Sequence, residues 1–251
     1  GGSQSPHLHF EIRDTKTEEI INPLLFGIKI PDTIPPILKK LAIYPLNKNS
    51  EVNNNFYETY YDLELKQGSW MLKGNPSLKA NGLIAFGLEV YDMDNASRNL
   101  NGIHSLELFV NDNKISEHVF DRFRFDETKY VNAIIDYKEK IRNGSNIIKS
   151  NVLPNNNLNL INKELKGILE VKEGITYSIR YKAIDNGGNV SEIKFNILGN
   201  PALTRTLPLE NQQKAFFSFK KEDNFFKTND FEIKVPGKAL YDSIFFEYAK
   251  A

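Results

Sequence analysis

The sequence predicts a mainly β protein built from more than one unit, and three observations carry that expectation. Short runs rich in Ile, Leu, Val, Phe and Tyr recur along the chain, separated by Asn, Asp and Gly clusters, at a spacing suited to a β-sandwich. Two proline-bearing stretches, one at residues 31–36 and one bracketed by Pro201 and Pro208, interrupt these runs. An alternating stretch, His7-Leu8-His9-Phe10-Glu11-Ile12-Arg13, opens the chain. At 251 residues, the length suits one to two domains.

Composition narrows the function classes. Apolar residues make up 40% and charged residues 25%, ordinary for a globular protein that buries a core. The formal net charge is zero, so bulk electrostatics favours neither nucleic acid nor an anionic membrane surface. The absence of cysteine excludes disulfides and thiolate metal sites. No apolar run approaches the ~20 residues that a membrane-spanning helix needs.

Taken in order, the first element is a strand over residues 7–13. Alternation places His7, His9 and Glu11 on one face and Leu8, Phe10 and Ile12 on the other, which reads as core. The two imidazoles then lie ~7 Å apart, close enough for one to bind a metal while the other works on a substrate held there. Glu11 reads as a solvated or supporting group that Arg13 can pair with. After the polar turn Asp14-Thr15-Lys16-Thr17, a second strand is expected over residues 20–28. Three prolines within residues 31–36 cannot continue a central strand, and they mark the first domain boundary.

From Ile37 the strands of a sandwich follow: residues 37–46, 60–66, 83–91, 103–110, 115–120, 167–171, 176–184 and 190–198. Asn111-Asp112-Asn113 and Asp185-Asn186-Gly187-Gly188-Asn189 read as hairpin turns, because Asn, Asp and Gly tolerate left-handed backbone. Seven or eight such strands predict an immunoglobulin-like sandwich over residues 31–200. One helix interrupts it: Asp126 is the expected cap, Val131, Ile134, Ile135 and Ile141 the apolar stripe, and Asn143-Gly144 the stop. Beyond the second linker, strands near residues 215–219, 231–235 and 243–248, with a Pro236-Gly237 turn, predict part of a further β domain over residues 201–251.

The opening run Gly1-Gly2-Ser3-Gln4-Ser5-Pro6-His7-Leu8-His9-Phe10-Glu11, followed by Asn22-Pro23, resembles the end of a lysostaphin-type (LytM-like) zinc metallopeptidase domain. About ten residues agree with that family's pattern in type and order. Ser5 departs from it, standing where the family has Gly, at a steric cost if the turn needs positive φ. The resemblance implies that His9 is a zinc ligand and that His7 is catalytic, as general base or transition-state stabiliser. It also implies two further ligands, a His and an Asp in a His-x-x-x-Asp arrangement, well upstream of the His-x-His strand. Residues 1–30 therefore read as the C-terminal part of a peptidase domain entered in mid-domain. Residues 121–137 resemble the insertion in sandwich domains that follow such peptidases in some Gram-negative proteins.

These resemblances imply a parent zinc endopeptidase acting on peptidoglycan peptides in the periplasm, cell envelope or extracellular space. They imply no activity for this chain by itself, and a cell-envelope partner docking through the sandwich. A different class stays open beside this: a non-catalytic LytM-like module that activates or scaffolds other cell-wall enzymes.

Three other features are set aside as structural. Asp92-Met93-Asp94-Asn95-Ala96-Ser97-Arg98-Asn99 offers oxygen donors at alternate positions, as calcium loops do, but lacks the Gly and distal Glu of an EF-hand and reads as a polar turn. His104 and His118 read as ordinary surface histidines. Phe216, Phe217, Phe219, Phe225, Phe226, Phe245, Phe246 and Tyr248 could suggest a carbohydrate platform, but read as the core of the last β domain.

Overall fold

The computed structural model describes residues 9–95, 99–201, 214–220 and 222–247, and the chain is mainly β. The N-terminal segment carries the short strands β1 (Ile12–Arg13) and β2 (Ile20–Ile21), then a single 3-10 turn at Pro23–Phe26. Among the described residues, the two long strands expected here are thus each reduced to two residues of strand. Pro23 sits in the first turn of the 3-10 helix, where its missing N–H costs nothing, and the Asn22 side chain caps it by accepting from the Leu24 amide at 3.1 Å.

The sandwich strands follow: β3 (Ile37–Pro45), β4 (Glu51–Val52), β5 (Thr59–Lys66), β6 (Ser69–Leu72), β7 (Leu78–Tyr91), β8 (Ser105–Val110) and β9 (Asn113–Val119); β10 (Arg122–Phe123), next in the chain, joins β1 and β2 in a separate three-stranded sheet. A 3-10 helix (Phe125–Tyr130) and the short helices α1 (Val131–Ile134) and α2 (Tyr137–Asn143) come next. Then follow β11 (Ile147–Lys149), β12 (Ile168–Val171), β13 (Thr176–Ile184) and β14 (Val190–Gly199).

One layer is built on β7, which pairs antiparallel with β3 on one side and with β11 and β12 on the other. The facing layer runs β9-β8-β13-β14, with β13 and β14 in register from Thr176↔Leu198 to Ile184↔Val190. Leu38, Leu41, Ile43, Ile84, Phe86 and Leu88 of the first layer and Leu106, Leu108, Ile179, Tyr181 and Ile193 of the second share one buried cluster. That shared core is what a sandwich requires: each sheet turns its apolar face inward and leaves the polar one to water.

The two layers are also hydrogen-bonded into a closed ring. The β5–β6 hairpin spans from β3 to β14, and the start of β7 pairs parallel with β14 at Leu78↔Ile197 through Ala80↔Gly199. β7 manages both pairings because it bends at Gly82, whose φ is +78°; a Cβ there would lie 2.8 Å from Ser50 Oγ. Only glycine meets both conditions at once.

Turn chemistry follows the residues. Asn111 and Asp112, with φ of 48° and 63°, form a two-residue turn that sets Val110 opposite Asn113. Gly144 ends α2 in the left-handed conformation, as expected of a helix stop. The expected single helix is instead broken at Ile135. That residue is extended and bridges Ile148, while the Asp136 amide donates to Ile147 O, so pairing with β11 takes the chain out of the helix. The cap moves with the break: Asp136, not Asp126, accepts from the Glu139 amide at 3.0 Å. Ile141 then falls outside the apolar stripe and is 67% exposed.

The last described segment forms two antiparallel pairs, β15 (Lys214–Phe217) with β18 (Ile244–Glu247) and β16 (Asp223–Lys227) with β17 (Glu232–Pro236). Phe217, Phe226 and Phe246 pack together, with ring centroids 5.0 and 5.2 Å apart, as a small core. Phe216, Phe225 and Phe245 face outward. Of the eight aromatic residues expected to form that core, three do so and three face outward; Phe219 is half-buried and Tyr248 lies outside the described residues.

Candidate functional site

The sequence-predicted site lies at the start of the chain. His7 falls outside the described residues. His9 and Phe10 are exposed and precede β1; of the expected apolar face Ile12 is half-buried, and Leu8 lies outside the described residues. Arg13 pairs with Glu11 at 2.7 Å and lies over the Phe125 ring, as a surface latch. Among the described residues, His9 belongs to no group of three His, Cys, Asp or Glu side chains able to hold one ion. A catalytic zinc takes three protein ligands, so the described residues do not by themselves fit that metal.

The segment is nonetheless fastened to the sandwich. β2 pairs with β10, the Asn22 amide donates to Asp121 O at 2.7 Å, and Asn22 Nδ2 donates to Asn186 Oδ1 at 2.6 Å. Farther along, Asn189 Nδ2 donates to the Asp32 carbonyl at 3.3 Å and Ser191 Oγ donates to the Pro36 carbonyl. The linker therefore lies against the loops at one end of the sandwich.

At that end the fold gathers a second constellation. Asp92 follows the last residue of β7, Asp185 follows the last residue of β13, and Asp32 lies in the proline-rich linker. One carboxylate oxygen from each lies within 4.8 Å of the others. Asp185 is buried, accepting from the Asn189 amide at 2.8 Å and from Asn189 Nδ2 at 2.9 Å. Asp32 Oδ1 accepts from the Ile34 amide at 3.0 Å. Asp92 is 6% exposed, and its Oδ1 is shut off from solvent with no hydrogen-bond partner. Burial, partly offset by the Met93 amide, pushes the Asp92 carboxyl up to about 6, and the charges of Asp185, Asp32 and Asp94 add to the effect. No Lys, Arg or His among the described residues forms an ion pair with any of the three.

The sequence reading touched two of these three residues without joining them. Asp92 stood in the alternating oxygen-donor run and Asp185 opened a hairpin turn, but their proximity is a property of the paired layers. The histidines also differ from expectation. His118 is no surface residue: it is 1% exposed and stacked on Phe120, neither ring nitrogen has a hydrogen-bond partner, and burial pushes its pKa down to about 4. His104 Nδ1 approaches Asp121 Oδ1 at 3.2 Å without hydrogen-bond geometry.

No protein-family model, no curated protein and no solved structure matches this chain.

Proposed function

We propose that the chain is part of a zinc endopeptidase acting on peptidoglycan peptides in the cell envelope, with His9 as a metal ligand and His7 beside the scissile bond. The observation that carries this reading is the run from Gly1 to Glu11, with its His-x-His spacing, followed by Asn22-Pro23. The remaining ligands, a His and an Asp, belong on this reading to the parent protein. The hydrogen bonds from residues 20–36 onto the sandwich support a positioning role for that domain. A cell-envelope partner docking through the sandwich belongs to the same proposal.

A second reading, a non-catalytic module that activates or scaffolds other wall enzymes, is favoured by one observation: His9 joins no three-ligand group among the described residues. Zinc content and muropeptide cleavage by the full-length parent separate the two. On the enzyme reading the parent holds one zinc per chain, and His9→Ala loses both metal and cleavage. His7→Ala keeps the metal and loses roughly 10²–10⁴-fold in rate. A full-length protein with neither zinc nor cleavage leaves the module reading standing and ends the enzyme one.

A further inference from the structure

Three carboxylates have been brought together at one end of the sandwich, and no Lys, Arg or His among the described residues forms an ion pair with them. Two of the three are buried. Removing like charges from water and then setting them side by side is costly unless something neutralises them. Asp92 makes the point most sharply, because one of its oxygens is buried and accepts no hydrogen bond. Buried polar atoms in folded proteins find partners as a rule, and an exception points to a ligand.

The geometry selects the ligand class. All donors are oxygens, which suits hard divalent cations and not zinc or copper. Calcium–oxygen distances of about 2.3–2.6 Å allow donor atoms on one ion to stand up to about 4.6–5.2 Å apart. The three carboxylates, within 4.8 Å of one another, fall inside that range. A cavity of about 790 Å³ opens beside them, lined also by Asp94, Asn101 and Asn186, so further oxygens and water can complete the six to eight ligands that calcium takes. Lys29 lines the same cavity but forms no ion pair with the three aspartates. The bonds from Asn189 to Asp185 and from the Ile34 amide to Asp32 are the kind of outer contacts that orient metal ligands.

We propose that Asp32, Asp92 and Asp185 bind one calcium ion, which fastens the proline-rich linker to the strand ends of the sandwich. One ligand comes from the linker, one from the end of β7 and one from the end of β13. The ion therefore ties the N-terminal segment to both layers at once. This inference is independent of the peptidase reading and survives its failure.

The test is calorimetric titration of CaCl₂ into the chelator-treated 251-residue chain, with thermal unfolding followed in parallel. The expected result is one calcium per chain with a Kd on the order of 10⁻⁴ M or tighter. At a hundredfold excess over Kd, the melting midpoint rises by roughly 5–10 °C. Equimolar MgCl₂ does not reproduce the rise. Asp92→Asn and Asp32→Asn each weaken binding at least tenfold. Asp32→Asn lies in the linker, outside the sandwich core, so it separates loss of the site from loss of the fold. Limited proteolysis reads the same ion independently, since calcium protects the linker in the native chain and not in Asp32→Asn. No response up to 10 mM CaCl₂, an equal response to MgCl₂, or a calcium response that persists in both variants overturns the proposal.

Discussion

Replacing His118 with Leu should stabilise the protein and remove a specific part of its pH dependence. His118 lies on β9 opposite Leu106, is 1% exposed, and presents two ring nitrogens with no hydrogen-bond partner. Its pKa falls from 6.5 to about 4 through burial alone. The sign follows from where the proton goes. Above pH 6.5 the imidazole is neutral in both folded and unfolded chains, and the linkage contributes nothing. As pH falls from 6.5 towards 4, the unfolded chain takes up the proton and the folded one does not, so stability is lost; below about 4 the loss is complete. At about 1.4 kcal/mol per pH unit, that interval corresponds to about 3 kcal/mol. Leu is close to His in volume and leaves no buried nitrogen unsatisfied, a further gain of roughly 1–3 kcal/mol at pH 8. Urea unfolding of both proteins at pH 8, 6 and 4.5, in chelator, measures the two effects. Asp92 titrates in an overlapping range with the opposite sign, its raised pKa favouring the folded state as pH falls. The difference between the two proteins is therefore the readout, not either curve alone. If that difference is the same at all three pH values, His118 is not a buried neutral imidazole. If the variant is less stable than the native chain at pH 8, its ring nitrogens are hydrogen-bonded after all. Either result refutes the reasoning.

The remaining predictions concern the parts of the fold that hold the two layers and the insertion in place. Asp136 caps α2 and accepts from both Tyr44 and Tyr60 hydroxyls at 2.9 Å, so Asp136→Ala strands two partly buried donors and a helix end. A loss of about 3 kcal/mol or more in urea unfolding is expected, against about 1 kcal/mol for a surface cap alone. Gly82→Ala places a Cβ 2.8 Å from Ser50 Oγ at a φ of +78°, where β7 crosses between the layers. A drop of roughly 2–4 kcal/mol is expected, visible as a lower melting midpoint; an unchanged midpoint would mean that β7 does not need that bend.

Much of the architecture is legible in the chain because the physics that sets it is local. Alternation of apolar and polar side chains fixes which face of each strand is buried. Residues 176–184 and 190–198, joined by Asp185-Asn186-Gly187-Gly188-Asn189, therefore appear in the structure almost as the pattern predicts, as does the Asn111-Asp112 turn. Where a tertiary partner competes with a local preference, the pattern misleads. Residues 131–141 carry a helical stripe, but Ile135 is worth more as a bridge to Ile148, and the helix divides there. Residues 7–13 alternate like a strand, but within the described residues 9–13 the strand covers Ile12 and Arg13, which pair with Ile21 and Ile20.

The site divides along the same line. The His-x-His run is contiguous, and its chemistry can be read from spacing alone, so the peptidase proposal rests wholly on sequence. The burial of His118 and the meeting of Asp32, Asp92 and Asp185 cannot be read that way. These aspartates are 60 and 93 residues apart along the chain, and only the packing of two sheets and a linker makes them neighbours. A turn rich in Asp and Asn looks the same in sequence whether it is merely solvated or shares a buried charge cluster. The difference lies in desolvation, which depends on what the rest of the chain places on top of it.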